Sequence, residues 1–208
     1  EQLPRAVKQA HERIIGERKV ENAEKILSLY EGDVRVIVRG KAGAEVEFGN
    51  TLVLAENRQG VIVDYHLYRE TAPSDSQALF PSLVRQCEGT GRSVDVVVAD
   101  RGFASKGNSR TLGETGVYDA TCPRDPAQLS AKMKEEKFAE LQRRRAQTEA
   151  RIAILKGVFL GQPPRAKGFA HREVAVAWSV LTHNLWVLAR MVEEKEKEKR
   201  AEPRLEAA

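Results

Sequence analysis

The chain has 208 residues, 41% hydrophobic and 31% charged, with a formal net charge of +4. That length sustains one substantial core with a helical extension, and no apolar run approaches the ~20 residues of a membrane-spanning helix. The first residues do not read as a secretory leader, so none is expected, and the two cysteines, Cys87 and Cys122, lie far apart and outside any CxxC pattern, so neither a disulfide framework nor a zinc site is indicated.

The expected setting is therefore a reducing, cytoplasmic one. The chain opens on Glu1 rather than Met, so the expectation is a fragment or a processed product. Its charge is uneven. Between Arg124 and Arg172 twelve Lys/Arg face five Asp/Glu, a surplus of seven, which leaves the remainder at −3. Such a region attracts polyanions, phosphate backbones first among them, although a solvated helix surface has the same composition.

Residues 1–31 read as helix, with Val7, Ala10, Ile14, Ile15, Ala23, Ile26, Leu27 and Tyr30 at helical spacing and a break near Gly16. From Asp33 the pattern changes. "DVRVIVRG" alternates with period two and predicts a strand, "KAGAEVEFGNTLVLAE" a second, and "GVIVDYHLY" a third after a turn at residues 57–60. Short turns between them imply an antiparallel meander. Ser74 and Gln77 have capping-box spacing and predict a helix starting near Asp75, or later because of Pro81.

"VDVVVAD" then predicts a strand over Val94–Ala99, buried on both faces, central and parallel to a neighbour. Ser105 or Asn108 can cap a short helix ending by Gly116, and "VYDATCP" predicts a fifth strand. Helix follows "RDPAQLS" to about Phe159, with Phe138, Leu141, Ile152, Leu155 and Phe159 on one face. "GQPPRAKG" breaks it. A last helix over Glu173–Val192 aligns Val174, Trp178, Leu181, Leu185, Leu188 and Val192, with Trp178 and Trp186 expected in the core. The domain division is thus a helical segment over 1–32, a core over 33–192, and a charged, disordered tail over 193–208. The order fits an α/β class: a mixed, five-stranded-type sheet flanked by helices, ribonuclease H-like.

Asp100 leaves a core strand at the edge where ligands gather in α/β proteins. Gly102 permits a sharp turn and close approach of backbone, and Arg101 can pair with an anion. Glu149 lies about 80° from the centre of the apolar stripe of its helix, at the border of the buried face. An ordinary ion pair with Arg145 and a simple turn cap at Asp100 are the plain alternatives.

"VVVADRGFASKGN", followed by Glu149 in "RRRAQTEARIAILK", resembles the catalytic core of bacterial insertion-sequence transposases of the DDE type. "KILSLYEGDVRVIVRGKAGAEVEFG" and "AVAWSVLTHNLWVLAR" are similar to the same group, so the resemblance runs from about Lys25 to Met191. It implies a ribonuclease H-like fold and the cutting and joining of transposon DNA ends. Asp100 corresponds to the second acid of the triad and Glu149 to the third, both as metal ligands. Mg²⁺ or Mn²⁺, as a pair of ions, is implied, and oxygen ligands alone suit it.

The DNA contacts expected beside them are Arg101, Arg143, Arg144, Arg145 and Lys156. The partners implied are transposon ends and target DNA, no membrane, and a second copy of the chain on DNA, in a nucleoid-associated setting. The first acid of the triad is expected upstream, on a first strand that this chain lacks; Asp33 reads as a turn residue and Asp64 as equally solvent-facing. Asp75 resembles a recurrent position of the family but reads first as a helix-start residue. The alternative functions are an inactive remnant that binds DNA and a ribonuclease H-like nuclease.

Overall fold

The computed structural model describes residues 2–22, 24–41, 44–161 and 165–201. The first helix, α1 (Gln2–Ile14), is shorter than the periodicity predicts. After Gly16 the chain does not resume a helix, and Val7, Ile14 and Ile15 stay exposed. The irregular segment is tied down by polar groups instead. The Gln9 side chain donates to the carbonyl of Ile26 and accepts from its N–H. Glu31 accepts from the Gly168 N–H and from Arg172 at 2.9 Å, at the start of the last helix.

Four strands follow where three were expected: β1 (Arg35–Lys41), β2 (Ala44–Gly49), β3 (Leu52–Glu56) and β4 (Ile62–Leu67). The second predicted strand is divided at Gly49, whose φ of 154° departs from a strand, so β1–β2 and β3–β4 form two separate antiparallel hairpins. Helix α2 (Asp75–Thr90) begins at the residue the capping box specifies. Ser74 and Gln77 close the box reciprocally, so the first turn holds despite Pro81 inside the helix. Gly91, at φ 65°, ends it in the left-handed conformation that glycine adopts without steric cost.

Strand β5 (Val96–Val97) and β6 (Tyr118–Asp119) pair in parallel. Flanking bonds carry the same register from Asp95 to Ala99: Tyr118 N–H to Asp95 O, Ala120 N–H to Val97 O, and Cys122 N–H to Ala99 O. The parallel neighbour is therefore present, but two expectations are corrected. Val97 is buried while Val98 is 37% exposed, so the strand is covered on one face. The described strands also form three two-stranded ladders rather than one sheet of five, because each pairs only with its hairpin or crossover partner.

Between β5 and β6 lies α3 (Lys106–Glu114), capped by Ser105, whose hydroxyl accepts from the Asn108 N–H. The single helix expected after residue 130 is two helices, α4 (Pro126–Lys132) and α5 (Glu136–Ile154), continued by a π-helical turn, Leu155–Leu160. Asp125 caps α4 and Pro126 takes its first position, where no N–H is needed. Helix α6 (Phe169–Ala201) runs past Val192, so the first part of the segment expected to be disordered is helical; residues 202–208 lie outside the described ones.

Two small cores result. Ile62 and Leu67 of β4 pack with Leu155 and with Phe169, Val176 and Val180 of α6. Leu79 of α2, Val97 of β5 and Leu112 of α3 form the second. Complete burial of a leucine such as Leu112 contributes roughly 1.5–3 kcal/mol. The expected apolar face of α6 is not the packed one: Val174, Trp178, Leu181, Leu185, Leu188 and Val192 are all exposed. Val176, Val180, His183 and Val187 face inward instead, and Asn184 fixes that choice by donating to Ile62 O and accepting from Ile62 N–H, both at 2.8 Å.

Candidate active site

Asp100 sits where the parallel β5–β6 register ends. Its side chain caps a single 3-10 turn, Arg101–Phe103, accepting from the Gly102 N–H at 2.6 Å through Oδ1. Oδ2 has no polar partner among the described residues, and Asp100 is exposed. The turn is held from two sides. Arg124 reaches the carbonyls of Arg101 and Gly102 at 3.4 and 3.3 Å. Asn108 donates from one amide nitrogen to Phe103 O at 2.9 Å and to Ser76 O at 2.8 Å, which joins the turn to the first turn of α2.

That junction brings a second carboxylate to the same place. Asp75, the first residue of α2, packs its carboxylate directly against Gly102, so closely that a Cβ at position 102 would collide with it. A side chain here would have to push the Asp75 carboxylate aside. Asp75 is the helix-start residue the sequence predicts, and the structure sets it against the turn that Asp100 caps. The capping box located it along the chain; only the packing of α2 on the turn carries it across to Gly102.

Glu149 lies on α5 and is 70% exposed at the side chain. It accepts from Arg145 at 3.1 Å, the i, i+4 pair that was the plain alternative, and Arg145 also donates to Gln142 at 3.2 Å. Neither a hydrogen bond nor an ion pair links Asp100 with Glu149. Among the described residues no three His, Cys, Asp or Glu side chains group closely enough to hold a metal ion.

The other predicted contacts divide by partner. Arg101 is exposed, and neither its side chain nor that of Lys156, half-buried in the π-helical turn, has a polar partner among the described residues. Arg143 and Arg144 open onto a cleft, whereas Arg145 is engaged by Glu149. Asp33 accepts from Arg69 at 3.1 Å. Asp64, read as equally solvent-facing, is buried at 7% exposure and bonded by Ser82 and Arg85. His66 stacks edge-on to Tyr68. His183 is fully buried beside Phe159, and Trp178, expected in the core, is 64% exposed.

Together these features define a class: an α/β protein presenting a carboxylate with a free oxygen at the C-terminal end of a parallel strand pair. Residues 39–185 match the transposase DDE domain family, and the chain belongs to that family. No curated protein and no solved structure matches it. None of the described helices is long and apolar enough to cross a membrane.

Proposed function

We propose that this chain is the catalytic part of a DNA transposase of the bacterial insertion-sequence kind, built on a ribonuclease H-like plan, which cuts transposon ends and joins them to target DNA. One observation carries the reading: the Asp100 carboxylate is oriented by a backbone N–H, clear of any cation among the described residues, at the strand end. Asp100 offers carboxylate oxygen, the donor type that a hard divalent cation such as Mg²⁺ or Mn²⁺ takes, although among the described residues no three His, Cys, Asp or Glu side chains group to hold one.

Asp100 and Glu149 would hold the metal. The Arg145 pair does not bar Glu149 from it, since an exposed helical pair contributes only a few tenths of a kcal/mol. Bound divalent ions supply activation of the attacking oxygen and stabilisation of the leaving oxygen. The chain's own groups do the rest. Gly102 N–H fixes one Asp100 oxygen and leaves the other outward. Arg101, on the same turn, offers its charge to a phosphate there.

In the first reaction, water attacks phosphorus and the P–O3′ bond breaks, leaving a 3′-hydroxyl. In the second, that hydroxyl attacks a target phosphodiester and displaces another 3′-oxygen. The test supplies pre-cut ends and target DNA with Mg²⁺ or Mn²⁺ and measures joined product. Asp100→Asn is expected to lower joining by at least about a hundredfold, beyond the 10–100-fold typical when only groups behind a metal's ligands change. Joining that persists in Asp100→Asn rejects the assignment.

The engagement of Glu149 by Arg145, with no group of three His, Cys, Asp or Glu side chains able to hold a metal among the described residues, favours one second reading: a DNA-binding remnant without chemistry. DNA binding with no cleavage in either metal by the native chain would establish it.

A further inference from the structure

On the far border of α5 from Glu149, the β3–β4 turn and the helix line a wide-open, shallow cleft of about 560 Å³. It is lined by Arg58 and Gln59 of the turn and by Glu140, Arg143, Arg144 and Gln147 of α5. Three guanidinium groups face one carboxylate. Arg58 and Glu140 approach only to 3.9 Å, with side chains 79% and 64% exposed, so their pairing contributes little. The side chains of Arg143 and Arg144 make no hydrogen bond or ion pair among the described residues.

Arg144 is half-buried. Partial burial, with the positive charges of Arg151 and Arg58 near it, makes its charged form less favourable, against the opposing pull of Glu56 and Glu140. An arginine cannot shed that charge in a protein. An anion entering the cleft would relieve the repulsion.

The cleft is also built rather than accidental. Gly60, at φ 87°, lies under the guanidinium of Arg151 so closely that a side chain there would clash. Arg151 is itself held by Glu56 at 2.7 Å, and Thr148 donates to the same oxygen at 2.7 Å. Asn57 closes the turn by accepting from the N–H groups of Gln59 and Val61. Arg58 is thus carried on a turn pinned to α5. Arg151 is spent on that scaffold, which leaves Arg58, Arg143 and Arg144 for a ligand.

We propose that this cleft is an anchoring site for the sugar–phosphate backbone of duplex DNA, with Arg58, Arg143 and Arg144 on phosphate oxygens and Gln59 and Gln147 as neutral donors. The choice of DNA over other polyanions rests on the transposase reading above. Arg144 and Glu149 are five residues apart, about 140° around the helix, and flank its buried stripe on opposite sides. DNA held here therefore lies apart from the acids, and the cleft contributes affinity rather than chemistry.

The test is binding of a labelled duplex of arbitrary sequence, followed by fluorescence anisotropy from about 50 to about 200 mM salt. Removing one phosphate-binding charge should lower the slope of log affinity against log salt by about 0.9, so Arg58→Gln with Arg144→Gln should lower it by about 1.8. Near 0.1 M salt each such removal weakens affinity about tenfold. Glu140→Gln should tighten binding, while Arg190→Gln, on α6 and paired with Glu194, should leave the slope unchanged. Thermal unfolding of each variant separates weaker phosphate binding from a damaged fold.

An unchanged slope in the double variant overturns the assignment. So does a native chain that fails to bind duplex DNA at low salt, or a loss confined to single-stranded RNA. The outcome is independent of the catalytic reading: if joining persists in Asp100→Asn the chemistry is wrongly assigned, yet the slope still decides the cleft.

Discussion

Asp64, inside β4, and Asp100, just past β5, are two aspartates that the fold treats in opposite ways. Asp64 of β4 is 7% exposed and fully subscribed: Ser82 Oγ donates at 2.6 Å, and Arg85 grips both carboxylate oxygens at 2.8 Å. The bond to Asp64 is the main cause that raises the Arg85 pKa above its ordinary value. This corner joins β4, in one core, to α2, in the other. Asp100 is exposed, accepts one backbone N–H and meets no cation among the described residues. The difference teaches that burial with complete pairing turns a carboxylate into a structural rivet. Exposure with one fixed oxygen leaves it available for work.

The strongest way to break that comparison is to remove each acid and measure stability. Asp64→Ala leaves Arg85 without its partner in a half-buried site and should cost about 3–5 kcal/mol in denaturant unfolding, the range for a broken buried pair. Arg85 is about a third exposed, so the lower end is expected. Asp100→Asn keeps an acceptor for Gly102 N–H and should stay within about 0.5 kcal/mol of the native chain, as surface changes do. Should the two variants destabilise equally, Asp100 is as structural as Asp64 and the distinction fails.

A smaller change sharpens the Asp100 side. Gly102→Ala drives a methyl group into the Asp75 carboxylate and should cost roughly 1–3 kcal/mol, as overpacking does. Asp75→Ala should return much of that loss in the double variant, a coupling of about 1 kcal/mol or more by double-mutant cycle. Strict additivity would mean that Asp75 does not press on the turn in solution.

Much of this was legible from residues in order. The capping box at Ser74, the cap at Ser105 and the hairpin turn at residues 57–60 all act within a few residues of themselves, whereas the cap at Asp125 with Pro126 starts a helix earlier than the sequence reading places one. What escaped depends on groups from far along the chain. Strand alternation could not orient Asp64, because its partners Ser82 and Arg85 are on a helix 18 and 21 residues away. Helix α6 carries two apolar stripes, and the sequence offers no means of choosing between them. The choice is made by Asn184 on the backbone of Ile62, 122 residues away. The acid site is legible in part: Asp100 by the strand that delivers it, Glu149 by its place on the helix border and the family likeness, whereas the approach of Asp75 to Gly102 needs α2 packed on the turn.

The smallest expected effect concerns a third aspartate, intermediate between the two. Asp119 ends β6, half-buried. Partial burial opposes its charge, but hydrogen bonds from the Ser109 hydroxyl at 2.7 Å and from Thr121, through its N–H at 2.9 Å and its side chain, together with the charge of Lys132, outweigh this and lower its pKa. A folded-state pKa below the unfolded value of about 3.9 means stability that is present above about pH 3.9 and is lost as pH falls through the folded value. Asp119→Asn should remove that part of the acid limb. Near neutral pH it should cost under about 1 kcal/mol, since solvent screens a half-exposed group. Urea unfolding from about pH 3 to about pH 6 measures both. A variant whose stability falls as steeply with acid as the native chain's would show that Asp119 resembles Asp100 in its freedom, and that its bonds to Ser109 and Thr121 do not bias its proton.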